Sequence, residues 1–244
     1  MTEPAAADAF VHGLAGRRCE LHRAGAGRTP VPVRRWRADA AGTDRWLLDA
    51  CHGPTVDLGC GPGRLVGALT ERGVPALGVD TSALAVRLSA GRGAVVLRRD
   101  LFDALPGEGR WHHALLADGN VGIGGDPVAL LRRVRRLLAP GGSTLVELDR
   151  GYGLWRGRAR LVVPGGSDGG WFPWALVGAD TIAEVASAAG LWVRRMHSTR
   201  RRRRVFAELW NATRTGTEAT GVTSAHPASP ANGARTPTTK HCGH

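Results

Sequence analysis

Between residues 43 and 148 the apolar positions follow two alternating rhythms. Short, densely apolar runs at 55–58, 74–79, 94–98, 111–117 and 143–148 predict buried strands. Between them, stretches at 63–72, 82–90 and 126–138 repeat apolar residues every three or four positions, which predicts helices with one buried face. Ahead of the first strand, Thr43-Asp44 can cap a helix through Ala50, with Trp46, Leu47 and Ala50 on its apolar side, and His52-Gly53-Pro54 ends it. Ala139-Pro140-Gly141-Gly142 should stop the helix at 126–138 before the strand at 143–148. Alternation of this kind implies a parallel sheet with helices on both faces.

The pattern loosens on either side. Trp155–Val163 reads as a strand and 164–170, rich in glycine, as an exposed mobile loop. Asp180–Ala189 reads as a helix with Ile182, Val185, Ala186 and Ala189 on one side. Leu191–His197 and Arg202–Trp210 read as two strands joined by the basic turn 198–201. Residues 1–42 mix Gly, Pro, Arg and Ala with little periodicity, and are expected to form a helix and irregular segments covering one side of the cleft. After Asn211 the chain turns to Thr, Ala, Gly, Pro and Ser. A segment of that composition buries too little to offset its ordering entropy, so disorder is expected over 211–244. Three parts result: a cover segment 1–42, a domain 43–210 and a tail 211–244.

Composition bounds the picture. A length of 244 residues with 43% hydrophobic residues supports one substantial α/β domain with a single core. Glu3 and Asp8 precede any apolar run, unlike a signal peptide, and no run approaches the ~20 apolar residues of a membrane span. Cys19, Cys51, Cys60 and Cys242 show neither a pairing pattern nor metal-ligand spacing, so no metal and a reducing, cytoplasmic setting are expected. The net charge of +12 is nearly all arginine, with Lys240 the only lysine. It fits either a solvated arginine surface or a partner bearing phosphates or carboxylates.

The chemistry concentrates at residues 55–63, Thr-Val-Asp-Leu-Gly-Cys-Gly-Pro-Gly. Gly59, Gly61 and Gly63 allow a sharp bend and a close approach to a ligand that any Cβ would push away. Asp80 ends the next strand-like run, where a carboxylate can accept hydrogen bonds from a ribose diol. A dinucleotide fingerprint would need its third glycine at position 64, which is Arg64. The run instead resembles the cofactor loop of class I S-adenosylmethionine-dependent methyltransferases, a hydrophobic strand ending in Asp-Leu-Gly-Cys-Gly-x-Gly. The match is complete over residues 56–63, and the likeness runs to about residue 149.

That resemblance implies an α/β, Rossmann-like, doubly wound seven-stranded sheet, mostly parallel with an antiparallel C-terminal strand pair, over the domain 43–210. It implies S-adenosylmethionine as cofactor. Gly59, Cys60, Gly61 and Gly63 would pass beneath its methionine part, and Asp57 would hold the amino group. Asp80, with Thr81 beside it, would take the ribose, Asp100 the adenine amino group, and Leu101 the ring face. The bland alternatives are a simple turn at 59–63, a helix cap at Asp80 and a surface turn at Asp100. Asp118 and Asn120 would lie nearest the transferred methyl, with Asp118 also counted among the cofactor contacts. Asp126 should cap the next helix, with Pro127 at its first position.

The acceptor side is less defined. The fourth strand end carries no Asn/Asp-Pro-Pro-aromatic motif, and no Pro-Cys nucleophile is present. Since the cofactor already carries the activation, the protein mainly positions the acceptor, and no residue has to be a nucleophile. His112 and His113 look structural. His197 is a base candidate by type, and His12 and His22 could reach the acceptor side. Trp171-Phe172-Pro173-Trp174, ahead of a helix, is either a core plug or a wall for a flat acceptor, with Tyr152 and Trp155 as further pocket residues. The expected function is methyl transfer to an oxygen or nitrogen of a small-molecule acceptor. RNA or another large anionic acceptor is the alternative, suggested by Arg200–Arg204 beside Arg194 and Arg195, and a non-catalytic cofactor-binding module is a third.

Overall fold

A computed structural model of the chain describes residues 9–40, 42–151, 153–166, 169–199 and 204–211. The expected tail beyond Asn211, the basic run 200–203 and Tyr152 lie outside these residues.

The domain is built on a seven-stranded sheet in the order β10-β11-β7-β6-β3-β4-β5. Its strands are β3 (Thr55–Leu58), β4 (Ala76–Asp80), β5 (Val96–Arg98), β6 (Trp111–Leu116), β7 (Leu138–Leu148), β10 (Trp192–Ser198) and β11 (Val205–Trp210). β3, β4, β5, β6 and β7 pair in parallel, while β11 runs antiparallel to both β7 and β10. The expected doubly wound, mostly parallel sheet with an antiparallel ending is what forms.

Both faces of the sheet are covered, which is why its strands read as nearly unbroken apolar runs. Ala114 and Leu116 point to one core with Val56, Leu58, Leu130 and Val134; Leu115 points to the other with Leu47, Leu65, Leu69 and Phe206. The helices that cover the sheet are α3 (Arg45–Ala50), α4 (Arg64–Glu71), α5 (Ala83–Ala90), α6 (Pro127–Leu137) and α7 (Ile182–Ala188). Asp126 caps α6 through Val128 N and Ala129 N, at 3.0 and 3.2 Å, with Pro127 behind it. No described helix is long and apolar enough to cross a membrane.

Local signals misplace some boundaries. β7 begins at Leu138 rather than 143, because the Pro-Gly-Gly segment is absorbed by a register shift against β6. The larger difference is a second, antiparallel sheet in the order β2-β1-β8-β9. The N-terminal region, expected as a helix with irregular segments, forms two short helices, α1 (Val11–Leu14) and α2 (Val33–Arg37), and a hairpin, β1 (Glu20–Arg23) and β2 (Gly27–Pro30). β1 pairs with β8 (Leu154–Val162), which pairs with β9 (Phe172–Val177). The aromatic run therefore opens a strand and does not lead directly into a helix. Pro173 is accommodated because β9 is an edge strand, where a missing N–H breaks no ladder. The isolated bridge Asp149–Gly178 ties this sheet to the end of β7.

Candidate functional site

β3 has β4 on one side and β6 on the other, so the strand order reverses at its carboxyl end. Open α/β sheets bind ligands at such a switch point. A cleft of about 790 Å³ opens there, bounded below by the strand ends and across by β1, α2 and β9.

The bend leaving β3 is pinned to its neighbour. Gly59 N and Cys60 N both donate to Val79 O, at 2.8 and 3.1 Å. Gly61 has φ +54°, and a Cβ there would meet only Leu14, 3.8 Å away, so bare backbone faces the cleft. Gly61 N donates to Asp80 Oδ2 at 2.9 Å. Gly63, also at positive φ, packs so closely on α5 that a Cβ would lie 2.2 Å from Ser89 Oγ. Cys60 is a buried filler beneath Gly78, and burial pushes its thiol well above the usual range, which rules out a ready thiolate.

Asp80 does not cap α5. Its Oδ1 accepts from Ser82 N at 2.8 Å, while Ser82 itself caps the helix through Ala85 N. Backbone amides of Gly61, Thr81 and Ser82 all support this carboxyl, which keeps acceptor capacity for a ligand, and burial raises it above its usual range. Thr81 borders the cleft beside it. At the β5 exit, Asp100 accepts from Phe102 N at 2.9 Å, and Leu101 is buried while still bordering the cleft. Arg133 holds this loop, donating to Leu101 O at 2.8 Å and to Glu108 at 2.7 Å. Phe102, which the sequence reading passed over, stands 43% exposed at the cleft edge.

Asp57 is 3% exposed and lies behind the cleft wall rather than on it. Burial pushes its carboxyl up to about 7, with Asp118 and Asp80 adding to the rise and Arg64 opposing it. Asn120 braces the bend, its Nδ2 donating to Leu58 O at 2.9 Å and Gly59 O at 2.8 Å.

Asp118 sits in a network that sequence reasoning missed. It is the one non-glycine at positive φ among the described residues, at 54°. Its N–H donates to Glu147 Oε2 at 2.8 Å. Its carboxylate receives Arg35 Nε at 2.8 Å and Arg64 Nη2 at 2.7 Å. Arg64 also pairs with Asp44 at 2.5 Å, and Arg204 bridges Asp44 at 2.6 Å and Glu147 at 2.7 Å. Three guanidinium groups thus face three carboxylates. Burial alone would raise Asp118, but Arg64 and Arg35 pull it below its usual value; Asp118 and Asp44 raise Arg64 against the same penalty. Nothing local in the sequence marks this set, since Arg35 and Asp118 are 83 positions apart and Asp44 and Arg204 are 160 apart.

The wall of the cleft formed by α2 and β9 is aromatic. Phe10, Trp36, Phe172 and Trp174 border the cleft and pack on one another, with centroids 5.1 to 6.2 Å apart for the Phe10 contacts. Trp171 points elsewhere, 5.3 Å from His22 and under Arg160. Trp155 lies on β8 beneath Arg23, away from the cleft. His197 stacks on Trp46 at 5.5 Å beside a separate small hollow, so it does not face the cleft. His113 is buried against Ser143, with its pKa pushed down to about 4 by burial. Among the described residues, no group of His, Cys, Asp and Glu could hold a metal ion.

No protein-family model and no curated protein sequence matches the chain. Solved structures do. A methyltransferase from Bacteroides fragilis dependent on S-adenosylmethionine, in complex with S-adenosyl-L-homocysteine, is 22% identical with a TM-score of 0.69 over 86% of this chain and 97% of that one. A 1,6-didemethyltoxoflavin-N1-methyltransferase from Burkholderia thailandensis is 17% identical, with a TM-score of 0.54 over 70% and 79%. A sugar N-methyltransferase from Streptoalloteichus sp is 17% identical, with a TM-score of 0.52 over 72% and 88%. At these identities the likeness establishes the fold.

Proposed function

We propose that this chain is an S-adenosylmethionine-dependent methyltransferase acting on an oxygen or nitrogen of a small molecule. The observation that carries the reading is the bare backbone bend at Gly59–Gly63 with Asp80 fixed one strand away at the switch point. The donor set suits the cofactor part by part. Asp80 and Thr81 offer acceptors to a ribose diol. Asp100, Leu101 and Phe102 offer an acceptor and apolar faces to adenine. Asp57, a buried carboxyl without a hydrogen-bond partner among the described residues, gains a charge partner if an ammonium arrives nearby. Arg35 uses Nε and Nη2 on Asp118 and Glu147, and its remaining Nη1 suits the methionine carboxylate.

Bound there, S-adenosylmethionine supplies an activated methyl group on a sulfonium. The side chains would bind and orient rather than deprotonate. The described lining includes no His, Lys or Tyr, and Asp118 and Glu147 are already engaged by arginines. The similarly folded proteins are methyltransferases, among them one for 1,6-didemethyltoxoflavin and one for a sugar, which supports a small acceptor.

Incubation with methyl-tritiated cofactor and a fractionated cell extract tests the proposal. Label should enter the small-molecule fraction with the wild-type chain and vanish with Asp80→Ala. Label confined to RNA would favour the polymer alternative. Binding of cofactor without any transfer would mark a binding module.

A further inference from the structure

Among the described residues five aromatics border the cleft: Phe10, Trp36, Phe102, Phe172 and Trp174. Phe102 belongs to the loop after β5, beside the proposed adenine contacts. The other four form a continuous wall opposite, contributed by α1, α2 and β9. Phe10 lies 5.1 Å from Phe172 and 5.7 Å from Trp174, and Phe172 meets Trp174 edge-on. Each ring is fixed by the next and by the buried core of the second sheet, so the wall is rigid. Leu21, Val31 and Leu176 continue it toward the rim.

The polar side chains that border the cleft beside this wall include Thr29, Arg35, Asp149 and Arg150. Asp149 accepts from Gly151 N at 2.8 Å, and Arg35 is largely taken up by Asp118 and Glu147. A sugar or a ribose would leave several hydroxyls unpaired against these rings, at a cost in desolvation. A planar apolar molecule loses nothing there and gains face and edge contacts. A volume of about 790 Å³ has room for a nucleoside-sized donor and one compact second molecule.

Resting on the methyltransferase reading, we propose that the acceptor is a flat, apolar ring system of about two fused rings. Its face lies on the wall formed by Phe10, Trp36 and Trp174. The second sheet, rather than the cofactor-binding core, then determines acceptor choice.

The test uses the full chain and two probes: 1-naphthol, planar and uncharged, and glucosamine, of similar bulk but polar. Affinity for S-adenosylhomocysteine is measured first by calorimetry and reports on the donor site alone. Each probe is then titrated with and without that ligand, so the acceptor result stands whatever the first titration gives. One molecule of 1-naphthol should bind at least 30-fold more tightly than glucosamine. Trp36→Ala should weaken 1-naphthol about tenfold and leave S-adenosylhomocysteine within about twofold. Leu176→Thr, a milder change on the same wall, should weaken it about threefold in the same selective way. Equal or tighter binding of glucosamine, or naphthol affinity unmoved by both substitutions, would overturn the inference.

Discussion

Asp57 and Asp118 are buried carboxyls with opposite protonation. Asp57 rises from 3.8 to about 7 because burial outweighs the pull of Arg64. The folded chain therefore keeps a proton that the unfolded chain has lost across that window. The sign follows: Asp57's contribution to stability is full below about pH 4 and falls as pH climbs to 7, by up to about 4 kcal/mol. Asp57→Asn should raise the melting temperature at pH 8 and leave it nearly unchanged at pH 4; thermal melts at both values check this, and an equal shift at each would contradict it. Asp118 behaves the other way, since its pairing stabilises the fold at neutral pH and is lost on acidification below its ordinary 3.8. Arg204, 4% exposed, joins Asp44 to Glu147, so Arg204→Met should leave these buried acids with only Arg64 and Arg35 as partners and cost about 3 kcal/mol in urea unfolding. A loss below about 1 kcal/mol would show the network to be dispensable. That Gly59, Gly61, Asp80 and Asp100 lie at the cleft was legible, because a bend and the strand ends beside it depend on a few neighbouring residues. Arg35, Arg64, Glu147 and Arg204 were not, because burial and long-range pairing alone distinguish them from surface charges.

At the scale of elements, β3 to β7 and their helices announced themselves, since each strand is apolar on both faces and each helix on one. The second sheet did not. β8 was expected as a strand, but it pairs on one side with β1, more than a hundred residues earlier, and on the other with β9, whose aromatic run was expected ahead of a helix. The two sheets meet at the short helical turn Asn120–Gly122, which packs on β9. There a Cβ on Gly122 would lie 2.0 Å from Ala175 O, a backbone atom unable to yield. Gly122→Ala should therefore cost about 1–3 kcal/mol and displace the aromatic wall. Urea unfolding with tryptophan fluorescence would read both effects, and a silent substitution would contradict this account of how the roof is seated.

For the whole molecule, the charge of +12 left a polyanionic partner open beside a solvated surface. Several arginines are engaged internally: Arg64, Arg133 and Arg204 are buried in pairs, and Arg195 is bound to Glu208 at 2.5 Å. The cleft that Arg64 and Arg204 border lies between elements of two sheets. The central claim is that the bend after β3 and Asp80 together hold S-adenosylmethionine. Calorimetric titration of that ligand into the wild-type chain, Gly61→Arg and Asp80→Ala tests it most directly. The account predicts one site of micromolar affinity, abolished by Gly61→Arg and weakened roughly 10–100-fold by Asp80→Ala, as expected for losing hydrogen bonds to a charged group. Equal affinity in all three proteins would contradict it.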